Sequence, residues 1–183
     1  MLYARSEMPP TVLRAPAPPK SFHVALVEPE IPPNTGAIAR TCVATRSPLH
    51  LIGPLGFRID AHAVRRAGLD YWPHLDLHRH EDFEGFRAQH PEARMHLFSS
   101  KAKRSYLDTR FEAGDILVFG KESVGLPDEL LETYADQCLA IPTLGPVRSL
   151  NLSNAVAIVL YEALRQCDLL SQTYLEEAER PKG

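Results

Sequence analysis

Cysteine is scarce in this chain. Cys42, Cys138 and Cys167 are the only three among 183 residues, odd in number and far apart. They make neither a CxxC pair nor a disulfide framework, which excludes a disulfide-stapled scaffold and points to a reducing, cytoplasmic compartment. No apolar run reaches the roughly 20 residues of a membrane span, and the N-terminus lacks a signal-peptide hydrophobic region. A dominant charge is missing too: 20 Lys and Arg stand against 23 Asp and Glu, for a net charge of −3. That argues against a broadly basic coat for nucleic acid and leaves room only for a local basic patch.

Several catalytic signatures are also absent. There is no GxGxxG and no GxxxxGK[ST] at a strand end, so neither a dinucleotide site nor a P-loop is expected. A GxSxG nucleophile elbow and an HExxH zinc helix are missing as well. The segment "HLDLHRH" brings His74, His78 and His80 close together, but their spacing in a partly alternating stretch is poor for metal ligation. Scattered surface histidines are the expectation there, and no metal site is assigned.

What is present is ordinary globular material, with 44% hydrophobic and 23% charged residues, enough for one domain with a sizeable core. Residues 1–20 contain Pro9, Pro10, Pro16, Pro18 and Pro19 and little periodic apolar content, which predicts a flexible or partly extended leader. The domain is expected over 21–171, with a short C-terminal tail over 172–183. Within it, "FHVALVEP", "LHLIG" (49–53), "MHLFSS" (95–100), "ILVFG" (116–120) and "CLAIP" (138–142) look like buried strands. Helical candidates lie near 35–46, 60–68, 81–89, 127–134 and 152–170. This alternation predicts a single α/β domain, a mostly parallel sheet with helices on both faces.

Ligands of such sheets bind beyond the carboxyl ends of the strands, and three of those ends carry unusual chemistry. "FGKESVGLP" holds Gly120 and Gly125, which permit close backbone approach, with the carboxylate of Glu122 between them. By itself it reads more simply as a tight strand-to-helix turn with Glu122 solvated. In "IPPNTGAIAR", Asn34 or Thr35 can cap the next helix, and Arg40 follows about one and a half turns along. In "RSLNLSN", Asn151 or Ser153 suffices as an N-cap, so the additional Arg148, Ser149 and Asn154 exceed what one cap needs.

Taken together, "NTGAIAR" (34–40), "VFGKESVGLP" (118–127) and "IPTLGPVRSLNLSNAVAIVLYEALRQ" (141–166) resemble the SPOUT class of RNA methyltransferases, and within it the TrmL group of tRNA wobble-ribose methyltransferases. "EPEIPPN" and "RRAGLDYW" add to the likeness, which runs from about Phe22 to Gln166. "ATRSPLH" departs from it, with Arg46 and Pro48 where relatives often have a glycine turn.

The resemblance implies a C-terminal trefoil knot, a homodimer and S-adenosyl-L-methionine as cofactor. Carried over by position, Phe98, Gly120, Glu122, Ile141, Ser149 and Leu150 would line the cofactor pocket. Asn34, Arg40, Ser149 and Asn151 would be the residues linked to activity. For the RNA partner, a tRNA anticodon stem-loop, the basic candidates are Arg40, Arg65, Arg66, Lys101, Lys103, Arg104 and Arg148. The implied reaction is methyl transfer to the 2′-hydroxyl of the wobble ribose. Another tRNA position, ribosomal RNA, or a catalytically silent RNA-binding dimer remain alternatives.

Overall fold

The computed structural model describes residues 11–57 and 70–177. The helix expected near 60–68, and with it Arg65 and Arg66, lies outside the described residues. The core is one six-stranded, wholly parallel sheet. In chain order the strands of the protein are β1 (Thr11–Arg14), β2 (His23–Val27), β3 (Leu49–Ile52), β4 (Leu77–His80), β5 (Met95–Phe98), β6 (Ile116–Phe119), β7 (Cys138–Leu139) and β8 (Tyr174–Glu177). The helices are α1 (Pro32–Thr45), α2 (Phe83–Gln89), α3 (Asp128–Thr133) and α4 (Leu152–Gln166). The sheet order is β4-β3-β2-β6-β5-β7, and β1 pairs with β8 in a separate antiparallel ribbon.

Strands β2, β3, β5 and β6 are buried on both faces, because each alternates between two cores. Val24, Leu26, Leu49, Leu51, Leu117 and Phe119 face α1 and α4, where Ile38, Ala39, Cys42, Val156, Val159, Leu160 and Ala163 complete the layer. Ala25, Val27, Ile52, Met95, Leu97, Ile116 and Val118 face Phe86 of α2 and Leu130 and Leu131 of α3. Burial holds the Cys42 thiol pushed up to about 12, so it acts as a small core hydrophobe.

Three details differ from the sequence reading. Strand β4 was not anticipated, since its residues are only partly buried at the sheet edge and lack a continuous apolar run. Part of the Pro-rich leader and part of the tail are not loose ends: Thr11–Arg14 and Tyr174–Glu177 pair residue for residue outside the core. Arg14 Nε also donates to Glu176 Oε2 at 2.9 Å. The bend after α1 does use the left-handed conformation that suits glycine; Arg46 takes it, with φ +54°.

The histidines carry the clearest surprise: His74 and His78 are exposed, as expected, but His80 is half-buried, and His78 and His80 are not isolated. They stack with His23, His50 and His90 on the α2 face of the sheet. His50 lies at the centre, 4.9 to 5.2 Å between ring centroids from His23, His78, His80 and His90. His23 Nδ1 meets His50 Nε2 at 2.9 Å, and His50 Nδ1 meets His80 Nε2 at 2.9 Å.

Each neutral imidazole has one donor and one acceptor, so the chain must run in one direction. His80 Nδ1 is buried with no partner. The low-cost assignment leaves a bare lone pair there, with His80 Nε2–H donating to His50 and His50 Nε2–H donating to His23. Among the described residues, no group of three or more His, Cys, Asp or Glu is arranged to hold a metal ion.

Burial first, and the neighbouring imidazoles second, lower the His50 pKa from 6.5 to about 3. His23, His80 and His90 are lowered as well, again chiefly by burial. In the unfolded chain these rings protonate near their ordinary value, so the unfolded state binds more protons below it. Stability is therefore complete above about pH 6.5 and falls as the pH drops toward 3. His50, only 2% exposed, is expected to cost about 2 kcal/mol by pH 5 from this linkage. Urea unfolding of wild type at pH 7 and pH 5 should reveal the loss, and His50→Leu should flatten the difference.

Candidate functional site

All six sheet strands run parallel, so their carboxyl ends share one rim. The chain builds β3 and β4 to one side of β2, then returns to place β6 on its other side. The boundary between β2 and β6 is therefore the topological switch point, where crevices form in open α/β sheets. The loop after β2 leads into α1, and the loop after β6 is "GKESVGLP".

These two loops are tied together by Glu122. Its Oε2 accepts from Glu30 N at 2.8 Å, and its Oε1 accepts from Ile31 N at 3.3 Å and from Asn34 Nδ2 at 2.9 Å. Helix α1 has no side-chain cap of its own and no acidic residue in its first turn. Glu122, from 91 residues further along, does the work of an N-cap and places negative charge at the positive end of the helix. The sequence expectation that Asn34 or Thr35 caps α1 is thus corrected. Pro32 and Pro33 start the helix earlier, and Asn34 is a buried residue inside the first turn.

Asn34 carries the connection onward. Its Oδ1 accepts from Asn151 Nδ2 at 3.0 Å. Asn151 is the N-cap of α4, and its Oδ1 accepts from Ser153 N at 2.9 Å and Asn154 N at 3.4 Å. A carboxylate only accepts, so Asn34 must turn its amide NH2 to Glu122 and its oxygen to Asn151. That in turn leaves the Asn151 oxygen for the helix end. One directional chain of hydrogen bonds thus joins all three motif loops.

Two smaller ties brace the same loops. Lys121 Nζ lies 2.6 Å from Glu28 Oε2, and Ser123 N donates to Glu30 Oε2 at 3.1 Å. Gly120 is required by contact: a Cβ there would lie 2.1 Å from Gly125 C and 2.2 Å from Leu126 N, both backbone atoms. Gly125 itself has φ +81°, so this turn needs both glycines.

Between these loops lies a cavity of about 690 Å³, inside the usual range for a ligand-sized pocket. Phe98 and Phe119, paired in register and stacked with centroids 4.7 Å apart, form apolar wall. Phe98, Gly120, Glu122, Ile141, Ser149 and Leu150, the six residues carried over for the cofactor, all line it. So do Asn34, Asn151, Lys101 and Arg148.

Arg40, Lys103 and Arg104 do not. Arg40 is exposed on α1, with its guanidinium carbon 4.8 Å from the Tyr71 ring centroid. Lys101 pairs with Asp128 at 2.5 Å, and Arg104 Nη1 donates to Asp136 O. The sequence reading missed Ser99 and Ser100, which also line the cavity. Their signal was the polar pair closing "MHLFSS" at a strand end.

Asn34→Asp is expected to be worse than Asn34→Ala. It sets a second carboxylate against Glu122 and removes the amide donor, a cost on the order of 3 kcal/mol when the group is buried. Denaturant midpoints of the two variants, compared with wild type at pH 7, measure the ordering.

The comparisons with known proteins agree with this geometry. The model of the SpoU rRNA Methylase family matches residues 21–161. The tRNA (cytidine(34)-2'-O)-methyltransferase of Burkholderia cenocepacia (strain HI2424) is 48% identical over 148 residues, covering 79% of this chain and 95% of that protein. A solved structure described as giving structural insights into the 2-OH methylation of C/U34 on tRNA is 49% identical, with a TM-score of 0.76, over 81% of this chain and 97% of that one. The SpoU methyltransferase AviRb from Streptomyces viridochromogenes, solved in complex with the cofactor AdoMet, is 27% identical with a TM-score of 0.66, over 80% of this chain and 61% of that one. This chain belongs to the SpoU methylase family.

Proposed function

We propose that this protein transfers a methyl group from S-adenosyl-L-methionine to the 2′-hydroxyl of the wobble ribose of tRNA. The observation that carries the reading is the cavity in which three motif loops converge at the strand ends. The family name speaks of rRNA, but the relatives that match at nearly half identity over nearly their whole length are tRNA enzymes of position 34.

The residues present fit the cofactor. The cavity is large enough for a nucleoside with an amino-acid tail, its phenylalanine wall suits an adenine ring, and Gly120 leaves backbone open where a side chain cannot stand. Phe98, Gly120, Glu122, Ile141, Ser149 and Leu150 would hold it. S-adenosylmethionine supplies a methyl group made electrophilic by its sulfonium. Everything else falls to the chain: aligning the hydroxyl in line with that methyl, steadying the charge that develops on oxygen, and letting its proton leave.

Arg40 is the residue for the second task. A guanidinium stays protonated, so it is a poor base but a good bidentate partner for the phosphate beside the reacting ribose. In our reading it binds that phosphate and stabilises the forming alkoxide, while phosphate or water takes the proton. Arg40 lies six residues beyond Asn34 on α1, roughly 9 Å along the axis at the rise of an α-helix.

The protein works as a homodimer in this reading, with a knotted C-terminal segment. Ile158 and Tyr161 support the dimer: they are exposed apolar residues on α4, 40% and 47% accessible. The path of residues 140–151 supports the knot, since it returns from edge strand β7 to Asn34 at the start of α1. Lys101, Lys103, Arg104 and Arg148, with Arg65 and Arg66 from outside the described residues, would meet the tRNA backbone. Three free thiols suit the cytoplasm, and among the described residues no helix is long and apolar enough to cross a membrane.

Deleting the gene and mapping ribose methylation across cellular tRNAs tests the assignment. Loss confined to wobble riboses is the expected outcome, and unchanged wobble methylation overturns it. Arg40→Lys should lose most turnover with normal cofactor affinity, because an ammonium cannot replace a bidentate guanidinium. Full activity would argue against the phosphate role.

A further inference from the structure

Resting on the reading of Arg40 as the phosphate-binding residue, we propose that Tyr71 is a positioning residue for it, a ring platform that sets the guanidinium before RNA arrives. Tyr71 belongs to the segment just before a short turn at Trp72–His74, far from all three motif loops in sequence.

The geometry joins two contacts on one side chain. The Tyr71 hydroxyl donates to Gly36 O at 2.7 Å, while its ring lies under Arg40, 4.8 Å from the guanidinium carbon to the centroid. Gly36 and Arg40 are four residues apart on α1 and so share one face of that helix. The phenol therefore lies along a single helical turn, pinned at one end and presenting its face at the other. The ring is half-buried, packed against the core that α1 and α4 share. Burial raises the phenol above its ordinary value, so the hydroxyl remains a donor at neutral pH.

The competing partner is weak. Asp70 Oδ1 is 3.8 Å from Arg40 Nη2, and both side chains are mostly exposed, the kind of ion pair that holds little. Without the ring, a long arginine side chain samples many rotamers, and a reacting group displaced by about an ångström costs large factors in rate. In this reading Arg40 is the group that meets RNA, and Tyr71 fixes where Arg40 waits.

The test uses the full chain with S-adenosylmethionine and a tRNA transcript carrying cytidine at the wobble position. Tyr71→Leu, with Tyr71→Met in its place should the leucine variant fold poorly, is expected to lower kcat on the order of tenfold. The melting temperature and the affinity for S-adenosylmethionine should stay near wild type. Tyr71→Phe keeps the ring face and should remain within about threefold of wild type. Asp70→Asn should change little.

The decisive arm is the double variant. In an Arg40→Ala background, removing the ring should cost almost nothing more, because it acts only through the guanidinium. If Arg40→Ala turns over too slowly to measure, the same cycle is read on tRNA Kd, which needs no turnover. Additive losses overturn the proposal, as would a Phe variant as damaged as the Leu variant, or an Asp70→Asn variant that reproduces the loss. An Arg40→Ala variant with wild-type turnover would instead sink the reading of Arg40 itself, a result distinguishable from failure of the coupling.

Discussion

The site depends on a carboxylate that can only accept. Glu122 takes hydrogen bonds from two backbone N–H groups at the start of α1 and from the amide of Asn34. Because those roles are fixed, Asn34 presents its oxygen to Asn151, and Asn151 presents its own oxygen to the first turn of α4. A single anionic group thereby orients two amides and reaches two helix N-termini, one directly and one by relay. The helix ends help in return, since their partial positive charge attracts the carboxyl oxygens at one end and the amide oxygen at the other. Loops from residues 30, 122 and 151 are thereby held in one arrangement by hydrogen bonds between side chains and backbone.

The sheet separates two demands. At the strand ends near α1 and α4, polar side chains and glycines keep a cavity open. On the α2 face, away from that rim, His23, His50, His80 and His90 pack against Phe86 and one another as if they were apolar, with exposed His78 stacked on His50 at the edge. Neutral imidazoles make this possible, for they stack and hydrogen-bond in series, and burial lowers the pKa of His23, His50, His80 and His90. The consequence is a core whose cohesion depends on pH although its chemistry takes no part in the proposed reaction.

Much of this was legible in the chain. The buried strands were readable because each is a short apolar run that ends at a turn, and the helices on both faces followed from their alternation. Residues 118–127 read alone as a tight turn and 148–154 as a helix cap with polar residues to spare, and they became a pocket only through their likeness to the methyltransferase motifs. Three things were not. The edge strand β4 lacks a continuous apolar run, so nothing in its composition separates it from a loop. The imidazole stack joins residues 23, 50, 78, 80 and 90, which come together only when β2, β3 and β4 pair side by side. The cap on α1 comes from the other side of the switch point, whereas capping rules read from sequence look only at adjacent residues.

Charge at the cavity follows from the same local pairing. A methyl donor of the proposed kind carries a positive sulfonium, and an unshielded ammonium beside it would weaken binding. Lys121, which lines the cavity, is committed to Glu28, whereas the Lys101–Asp128 pair is mostly exposed and leaves that lysine open to solvent. Glu122 adds negative charge on the same wall. Arg148, which lines the cavity, and Arg40 on α1 are both exposed, and in the proposed function they are the cations offered to a phosphate backbone. In the proposed function a chain of net charge −3 would hold a cation inside and meet a polyanion outside, with Lys121 neutralised by Glu28 at the cavity wall and Arg148 and Arg40 exposed.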